Sequence, residues 1–470
     1  MKTNFKNQVL KHLSLWIIVF AFFGCQNDEN DFEDAKFSTT GAIFIDNPVA
    51  MGTLFYLPYG GSKLNAWTVD NDVSYLGTSS MRFDVPNAND PQGNYAGAIF
   101  RVDGAPRNLT QYNALTFWIK ASQGVTIGEF GFGEDFIENK YITSITNISV
   151  GTAWTKIIIP IPDASKLTQE RGMFRYAAGS QGTNGAGYTF WIDELKFEKL
   201  GTIAHGQASI MNGANVSETT FIGVNSAVEG AVATFNLPTG VNQTVTISSA
   251  YLNYVSSNPS VASVDSNGSI TSLSSGTAVI TANFGDSVAV GSLTINCVGT
   301  FVHAPIPTRN AANVISLFSD TYSNVPVNYY NGYWQPWQTT VSNDFSVEGD
   351  NILNYTIFNF VGIEYSSPPI NATAMTHVHL DVFFPGAIAP GRQLRVLVVD
   401  FGANGVFGGG DDTRHSTTFT APTLVSQNWI GIDIPFSAMP NLLSRSNLAQ
   451  LILEGGDGSV LYVDNIYYYN

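Results

Sequence analysis

The residues best suited to chemistry in this sequence are five aromatic side chains crowded into one stretch, NYYNGYWQPW at 328–337. Its Gly, Pro and Asn residues interrupt both helices and regular strands, so the stretch is predicted to be a loop. A flat aromatic ring packs against the C–H face of a pyranose and leaves the hydroxyls free for polar partners. The stretch therefore predicts a platform for a neutral sugar, with Trp334 and Trp337 as the main stacking surfaces. Its rings are Tyr329, Tyr330, Tyr333, Trp334 and Trp337.

Amide side chains beside these rings are suited to bind sugar hydroxyls. They are Asn328, Asn331, Gln335 and Gln338. The alternative is that the rings close over the end of a β-sandwich as a small satellite core. Because so many rings without period-two alternation would leave some of them exposed, the sugar platform is the favoured interpretation.

Other aromatic residues divide into two groups by their local sequence. Trp67, Tyr59 and Tyr95 lie in the turn-rich segments LPYGGSKLNAWTVDND and QGNYAG, which makes them candidates for a second sugar-binding surface. Four other Trp residues lie in alternating strands or at strand starts and are predicted to be core. They are Trp118, Trp154, Trp191 and Trp429.

The composition indicates an all-β chain of several domains. The 470 residues include 44 Gly and 20 Pro, and only 12% of them are charged. This favours short strands and tight turns over long amphipathic helices. The length suggests about two to four domains. The net charge of -16 repels phosphate backbones and argues against nucleic acid as a partner.

The N-terminus has the features of an export signal. A lysine-containing head precedes an apolar run at 13–23, which is too short to cross a membrane and suits a signal peptide. Residues 1–25 resemble a bacterial lipoprotein signal, in which Cys25 becomes the lipidated first residue; a secretory signal with a chance Cys is the alternative. The acidic tether at 26–36, which contains QNDENDFED, resembles the signal that exports Bacteroidetes lipoproteins to the outer face of the outer membrane.

Three segments near the N-terminal end of the mature chain recur in the same order near its C-terminus. NALTFWIKAS (113–122) parallels THVHLDVFFP (376–385), GTAWTKIIIPIPDAS (151–165) parallels SQNWIGIDIPFSAMP (426–440), and GYTFWIDELKFEKL (187–200) parallels GSVLYVDNIYYYN (458–470). Their apolar residues alternate at period two, which is typical of half-buried strands in two packed sheets. One fold used twice is therefore predicted.

These segments carry a resemblance to known families. Both resemble β-sandwich carbohydrate-binding modules that end in a Trp/Tyr-Ile/Val-Asp-x-Ile/Leu strand, which implies jelly-roll sandwiches at 37–200 and 300–470. Between them, VSSNPSVASVDSNGSITSLSSGTAVITANFGDSVAVGSLTI (255–295) closely resembles the group 2 bacterial immunoglobulin-like domain. That resemblance implies an Ig-like spacer at 201–299, so the expected fold class is all-β with tandem β-sandwiches.

The C-terminal segment also resembles a module appended to bacterial laminarinases and other β-glucan enzymes. NVISLFSDTYSNV (313–325), the aromatic stretch and DFGANGVFGGGDD (400–412) carry this resemblance. It implies a β-glucan ligand, with a β-1,3-glucan such as laminarin as the leading choice.

Resemblance to these sandwiches also implies a structural calcium ion that joins the first strand to the last. Asp464 and Asp193 on the last strands are the candidate ligands, with Asp320 and Asp46 as early partners. Calcium takes several hard oxygens, including backbone carbonyls, so spacing alone identifies it poorly. The alternative for each carboxylate is a surface position or a turn cap.

The whole arrangement resembles the surface glycan-binding lipoproteins of SusC/SusD-type uptake systems. This implies a polysaccharide ligand, attachment to the outer membrane by a lipid, a SusC/SusD-like transporter as partner, and no catalysis. A surface adhesin or structural protein that binds a protein partner is the alternative. A glycoside hydrolase is less favoured, because no cluster of Glu residues lies on one strand and no hydrolase motif is present.

Overall fold

The computed structural model describes residues 36–201, 203–204 and 206–470. Cys25 and nearly all of the acidic tether therefore lie outside the described residues. No helix in the described part has the length and apolar character needed to cross a bilayer.

Regular structure in the described residues consists of β-strands and short turns of 3-10 helix. The first sixteen strands are β1 (Ala42–Phe44), β2 (Tyr56–Pro58), β3 (Trp67–Asp70), β4 (Ser80–Val85), β5 (Tyr95–Arg101), β6 (Ala114–Ala121), β7 (Val125–Phe132), β8 (Thr143–Val150), β9 (Thr155–Pro160), β10 (Gly172–Gly179), β11 (Tyr188–Glu198), β12 (Gln207–Ser209), β13 (Asn215–Thr220), β14 (Asn225–Ala227), β15 (Val232–Asn236) and β16 (Asn242–Ile247).

The remaining strands are β17 (Asn253–Ser256), β18 (Ala262–Val264), β19 (Ser269–Ser272), β20 (Gly276–Phe284), β21 (Ser287–Val288), β22 (Ser292–Cys297), β23 (Val314–Phe318), β24 (Val341–Val347), β25 (Asp350–Thr356), β26 (Phe360–Glu364), β27 (His377–Phe383), β28 (Leu394–Asp400), β29 (Thr413–Phe419), β30 (Trp429–Pro435), β31 (Leu448–Glu454) and β32 (Leu461–Tyr469). The prediction of an all-β chain built from β-sandwiches is confirmed.

The chain forms two compact units. The first comprises the described residues up to Gly206 together with Ala233–Tyr251, and the second comprises Gln207–Val232 together with Leu252–Asn470. The predicted domain boundaries at 201 and 299 stay predictions. Strands within that range contribute to both units, because β16 pairs with β8 of the N-terminal sandwich.

The N-terminal sandwich has two sheets. One runs β3-β4-β11-β6-β9 with β1 paired to β11, and the other contains β15-β16-β8-β7-β10-β5-β2. Aromatic rings fill the space between them: Phe83 stacks on Phe190 at 4.6 Å, and Phe117 meets Phe130 edge-on at 5.1 Å. Burying such rings is the main apolar stabilisation of the sandwich.

The C-terminal sandwich has the same strand order. Its sheets run β24-β25-β32-β27-β30, with β23 paired to β32, and β26-β31-β28-β29. The three recurring segments supply β6, β9 and β11 in one sandwich and β27, β30 and β32 in the other. In both, these strands lie in the same adjacent order within one sheet. The order β5-β10-β7-β8 corresponds in the same way to β26-β31-β28-β29.

The middle segment forms two further sheets, β13-β22-β20-β17 with β21 paired to β20, and β14-β19-β18. Its Phe221, Val224 and Phe301 pack against Ile352 and Tyr462 of the C-terminal sandwich in one buried cluster. Its membership of the Ig-like family stays a prediction.

The prediction of a core position is wrong for Trp118, Trp154 and Trp191, which are only half-buried. Trp429 is also half-buried, but it packs against the buried cluster of Phe301, Phe383 and Tyr462. On β6, Phe117 and Ile119 point into the sandwich, so period-two alternation turns Trp118 to the outer face. There Trp118 stacks on Tyr75 with ring centroids 4.0 Å apart.

Candidate functional site

The aromatic loop at 328–337 is held along β26 by main-chain hydrogen bonds. Asn328 N–H donates to the Glu364 carbonyl at 2.8 Å, and Glu364 N–H donates to the Tyr329 carbonyl at 3.0 Å. Further along, Gly332 N–H donates to the Gly362 carbonyl at 3.1 Å. Because β26 is an edge strand of its sheet, its free groups can fix a segment that is not itself a regular strand.

Buried amides hold the loop from inside. Gln338 Nε2 donates to Asn331 Oδ1, and Asn331 Nδ2 donates to the Thr340 carbonyl at 3.3 Å. The Trp334 N–H donates to Gln338 Oε1 at 3.1 Å. Two of the four amides predicted as sugar partners, Asn331 and Gln338, are therefore structural. Gln335 is exposed and makes a long 3.4 Å bond to the Gln338 carbonyl.

Trp334 lies flat on a glycine of β26. An ideal Cβ on Gly362 would come within 2.3 Å of Trp334 Cη2, so only glycine leaves room for the ring. Its Nε1 donates to the Tyr329 hydroxyl at 3.3 Å, and Phe360 lies beside it with ring centroids 6.3 Å apart. Trp334 is half-buried, so one part of the ring is fixed and the rest stays accessible.

A chain of hydrogen bonds runs from Trp334 to a carboxylate. The Tyr329 hydroxyl donates to Glu364 Oε2 at 2.6 Å, Gln450 Nε2 donates to the same oxygen at 2.9 Å, and the Ser366 hydroxyl donates to Oε1 at 2.6 Å. Burial raises the pKa of Glu364, but these three hydrogen bonds outweigh it, so the net pKa is lowered. Burial and the bond to Glu364 raise the pKa of Tyr329 to about 12. Glu364 is therefore ionised at neutral pH and Tyr329 is its donor.

These groups border a groove on the outer face of the sheet β26-β31-β28-β29, here called the Trp334 groove. It has a volume of about 660 Å³. Strand register brings its floor together, since Glu364 pairs with Gln450, and Val399 pairs with both Gln450 and Arg414. The groove is lined by Trp334, Glu364, Val399, Phe407, Asp412, Arg414, Gln450 and Ile452.

The side of the groove formed by the β28–β29 loop carries Phe407, whose side chain is 71% exposed. Phe407 packs on Phe401 at 5.6 Å, and the Gly408 N–H that follows it donates to Asp412 Oδ2 at 2.8 Å. Asp412 Oδ1 is buried and has no hydrogen-bond partner. Within the described residues the Arg414 guanidinium makes no ion pair or hydrogen bond. Both groups therefore remain available to a ligand.

None of the other predicted rings of the loop lines this groove, although the Tyr329 hydroxyl donates to Glu364 at its edge. Tyr330 donates to the Leu317 carbonyl at 2.8 Å and packs on Phe318. Tyr333 is 48% exposed and Trp337 is 74% exposed. The structure therefore spreads the five rings over the core, the groove and the surface, instead of one flat platform.

In the N-terminal sandwich, Trp67 and Tyr95 lie in different environments. Trp67 packs with Phe55, Tyr56 and Phe100, with ring centroids 5.4 to 5.5 Å away, so its ring belongs to a packed cluster. Tyr95 lies over Gly97 beside the ring of Tyr59, which comes from the same turn-rich segment as Trp67. An ideal Cβ on Gly97 would lie 2.9 Å from Tyr95 and 3.0 Å from Tyr59.

Charged groups surround Tyr59 on this outer face. Its hydroxyl donates to Glu134 Oε2 at 2.6 Å, and Phe136 meets its ring edge-on at 5.7 Å. Arg175 pairs with Glu134 at 3.0 Å and with Glu129 at 2.9 Å. Burial and the neighbouring Glu134 raise the pKa of Tyr59. The arrangement resembles that of Tyr329 and Glu364 in placing a tyrosine hydroxyl on a carboxylate.

The calcium candidates of the N-terminal sandwich serve as loop anchors. Asp193 accepts Tyr75 N–H at 2.7 Å and Leu76 N–H at 3.1 Å on Oδ2, and Glu194 N–H on Oδ1. Asp46 accepts the Ser79 N–H at 3.0 Å. Oxygens that already accept main-chain N–H groups are poorly placed to bind a cation, so this pair does not fit a metal as it stands.

The C-terminal candidates fit a cation better. Asp464 is buried and, among the described residues, accepts a hydrogen bond only from the Asn465 N–H, while Asp320 accepts the Asn351 N–H. Burial and nearby carboxylates raise the pKa of Asp464 to about 7. Within the described residues, however, no three His, Cys, Asp or Glu side chains come together in a group that could hold a metal ion.

With this geometry in view, comparison with known proteins is informative for the N-terminal sandwich. Residues 53–199 match the family model "Carbohydrate binding domain 30". This segment is thus a carbohydrate-binding-module-like domain, and it contains Trp67, Tyr95, Tyr59 and Arg175. The aromatic loop at 328–337 lies outside the match. No curated protein matches the chain significantly.

Several solved structures share weak similarity with the chain. A family 30 carbohydrate-binding module is 23% identical over 34% of this chain and 88% of its own, with a TM-score of 0.27. The family 11 module from Clostridium thermocellum, in complex with a β-1,3-1,4-mixed-linked tetrasaccharide, is 18% identical. The match covers 34% of this chain and 96% of that module, with a TM-score of 0.24. A β-1,2-glucanase from Parabacteroides distasonis is 8% identical over 57% of this chain and 40% of the glucanase chain, with a TM-score of 0.25.

The residues that sequence reasoning missed are Phe407, Glu364, Asp412, Arg414, Gln450 and Ile452. A signal was available for Phe407 and Asp412, because both lie in the glycine-rich segment 400–412. The other four look like ordinary residues of the strands β26, β29 and β31.

Proposed function

We propose that this protein is a non-catalytic glycan-binding protein of the cell surface that captures a β-glucan for uptake and degradation. The observation that carries the proposal is the Trp334 groove, which combines the rings of Trp334 and Phe407 with the polar side chains of Glu364, Asp412, Arg414 and Gln450. The family match of the N-terminal sandwich independently supports a carbohydrate ligand.

The groove would bind a glucan chain by stacking and by hydrogen bonding together. The accessible part of Trp334 packs against the C–H face of one glucose ring, and Phe407 contacts the chain on the β28–β29 side. Asp412 Oδ1, which has no internal partner, accepts a hydrogen bond from a sugar hydroxyl, and the Arg414 guanidinium donates one to a hydroxyl oxygen. Glu364, held by three donors, fixes Tyr329 and thereby the position of the Trp334 ring.

A β-1,3-glucan such as laminarin is the leading ligand. The glycine-rich segment 400–412, which resembles laminarinase-associated modules, is the loop that carries Phe407 to the groove. Because the family 11 module in the comparison binds a mixed-linked tetrasaccharide, mixed-linkage glucan is the second ligand to test. Weak binding at each of several sites would add up on a cell surface through multivalency.

The proposal includes attachment to the outer membrane by a lipid on Cys25, with a SusC/SusD-like transporter as partner. Replacing this residue, Cys25→Ala, should move the protein from the membrane fraction to the soluble fraction. A protein that stays membrane-bound after the substitution would contradict lipid attachment at this position. A structural calcium ion near Asp464 is also proposed.

Affinity electrophoresis tests the function. Residues 26–470 are run through gels that contain laminarin, mixed-linkage glucan, xyloglucan, mannan or alginate. We expect laminarin to retard the protein, Trp334→Ala to weaken this retardation, and Trp334→Phe to keep most of it. A hot-spot aromatic is worth about 2 kcal/mol, which is roughly thirtyfold in Kd.

Two outcomes would change the conclusion. Free mobility in every gel would favour the alternative, an adhesin that binds a protein. Release of reducing sugar from laminarin by the purified protein would show catalysis and contradict the non-catalytic assignment.

A further inference from the structure

The aromatic loop borders a second depression in the same unit, here called the Tyr333 groove. It has a volume of about 870 Å³, and its residues do not overlap with those of the Trp334 groove. Its lining includes Val224, Asn225, Tyr330, Tyr333, Asn351 and Asn354. The loop therefore supplies Trp334 to one groove and Tyr333 to the other.

The lining of the Tyr333 groove consists of rings, amides, hydroxyls and aliphatic groups. None of its described lining residues is charged. Uncharged amides and aromatic rings are the chemistry that recognises a neutral saccharide, whereas phosphate, sulfate or uronate groups call for Arg or Lys. A strongly charged peptide would also find no ion-pair partner here.

Tyr333 is fixed in a conformation that the backbone disfavours. Its φ is 47°, in the left-handed region that non-glycine residues rarely adopt. Its N–H donates to Asn331 Oδ1 at 3.0 Å, and its hydroxyl lies 2.9 Å from Ser342 Oγ. Such strain costs on the order of 1 kcal/mol and is found at functional sites. The half-exposed ring is thus held ready in the groove.

A buried acceptor lies in the same groove. Asn354 Oδ1 has almost no solvent access and no hydrogen-bond partner. A buried acceptor without a donor costs about 1–3 kcal/mol, and a ligand hydroxyl would supply the missing donor. The neighbouring Asn351 Nδ2 is oriented by Asp320 at 2.9 Å.

The middle segment contributes one side of the groove. Val224 belongs to the buried cluster that joins Phe221 and Phe301 to Ile352 and Tyr462, so its position is set by packing. Asn225 Oδ1 accepts the Thr271 hydroxyl at 3.0 Å, which leaves its amide NH₂ available. The segment therefore does more than separate two sandwiches.

We propose that the Tyr333 groove is a second binding site for a neutral saccharide, built jointly by the C-terminal sandwich and the middle segment. The inference rests on the proposed function for its ligand class, but it uses different residues. Tyr333 stacks on a sugar ring, and Asn354 and Asn225 bind its hydroxyls.

Isothermal titration of residues 26–470 with laminarihexaose tests this proposal. Ser346 is exposed and lines the groove, so Ser346→Trp should fill it. Ser287→Trp is the matched control, because Ser287 is also an exposed strand residue but lies in neither groove. We expect Ser346→Trp to lower the number of bound ligands by one and Ser287→Trp to leave it unchanged. Tyr333→Ala should mimic the loss, whereas Tyr333→Phe, which keeps the ring, should retain binding.

The variant Phe407→Ala separates the two grooves, because Phe407 lies outside the aromatic loop. If Phe407→Ala and Ser346→Trp each remove a different site and the double variant removes both, the inference holds. If Ser346→Trp binds exactly as Ser287→Trp does while Phe407→Ala loses a site, the second site is refuted and the proposed function stands. If only Ser346→Trp changes binding, the Tyr333 groove binds the saccharide and the assignment of the Trp334 groove as a binding site is refuted. Absence of any heat with the wild-type protein refutes both.

Discussion

A single methyl group on Gly362 should disable the Trp334 groove without unfolding the sandwich. The added Cβ would lie 2.3 Å from Trp334 Cη2, whereas ordinary contact begins at 3.4 Å, so the ring must move by about 1 Å. The Gly332 backbone also lies close to the ring on the loop side, since an ideal Cβ on Gly332 would come within 2.3 Å of Trp334 Nε1. The ring must then tilt away from β26 and lose its bond to Tyr329.

The backbone itself should tolerate the change. Gly362 is not among the glycines with positive φ, and alanine is favoured over glycine in a strand by about 0.5–1 kcal/mol. The cost therefore falls on the Trp334 ring, and we expect Gly362→Ala to weaken laminarin binding by about 2 kcal/mol, or roughly thirtyfold in Kd. Gly386→Ala is the matched control, because its Cβ would meet no atom within 4 Å.

Titration calorimetry measures the affinity, and thermal melting confirms that each variant is folded. If the glycine acts through the ring, the effects of Gly362→Ala and Trp334→Ala will not add, and the double variant will bind no worse than Trp334→Ala alone. Wild-type affinity in Gly362→Ala, or fully additive losses in the double variant, would refute the argument that β26 seats the ring.

Three further outcomes are expected. Burial raises the pKa of Glu170 to about 7. The free energy of unfolding of the N-terminal sandwich should therefore fall by about 3 kcal/mol as the pH rises from about 4.5 through 7. In Glu170→Gln the melting temperature should depend less on pH. Gly97→Ala should displace the rings of Tyr95 and Tyr59, and it should weaken glycan binding by an isolated N-terminal sandwich in affinity gels. Unchanged mobility of this variant would argue against a sugar-binding surface at Tyr95 and Tyr59. Calcium should raise the melting temperature and EDTA should lower it, and Asp464→Asn should abolish the difference. A melting temperature that neither calcium nor EDTA changes would refute a structural calcium ion at this site.

Much of the fold follows from period-two alternation in the sequence. The three recurring segments become corresponding strands because their inward residues, such as Phe117 and Val378, must be buried on one face. The same rule explains why Trp118 is not a core residue. Its neighbours Phe117 and Ile119 already occupy the inner face, so alternation places Trp118 outside, whatever its hydrophobicity.

The candidate groove could be predicted only in part. The loop at 328–337 was recognisable because its aromatic density does not suit any regular element. Glu364, Gln450 and Arg414 were not recognisable, because each lies on a different strand and only the pairing order β26-β31-β28-β29 brings them together. Sequence spacing carries no information about such pairing between distant strands.

The two sandwiches share more than strand order at their outer faces. In the N-terminal sandwich, Tyr59 N–H donates to the Gly97 carbonyl of β5 at 3.0 Å, and the Tyr59 ring lies over that glycine. In the C-terminal sandwich, Gly332 N–H donates to the Gly362 carbonyl of β26 at 3.1 Å, and the ring of the nearby Trp334 lies over that glycine. β5 and β26 hold corresponding places in the strand order.

A glycine on this strand thus does two things at once: its carbonyl anchors an upstream segment, and its missing Cβ seats an aromatic ring from that segment. Core packing does not require this combination, because the rings lie on the outer face of each sheet. Nor does the strand order alone require it, since any small residue could occupy the position. The requirement comes from holding an accessible ring close to a sheet, which is what a sugar-stacking surface needs. The recurrence in two sandwiches with different rings, tyrosine in one and tryptophan in the other, therefore favours glycan binding by both.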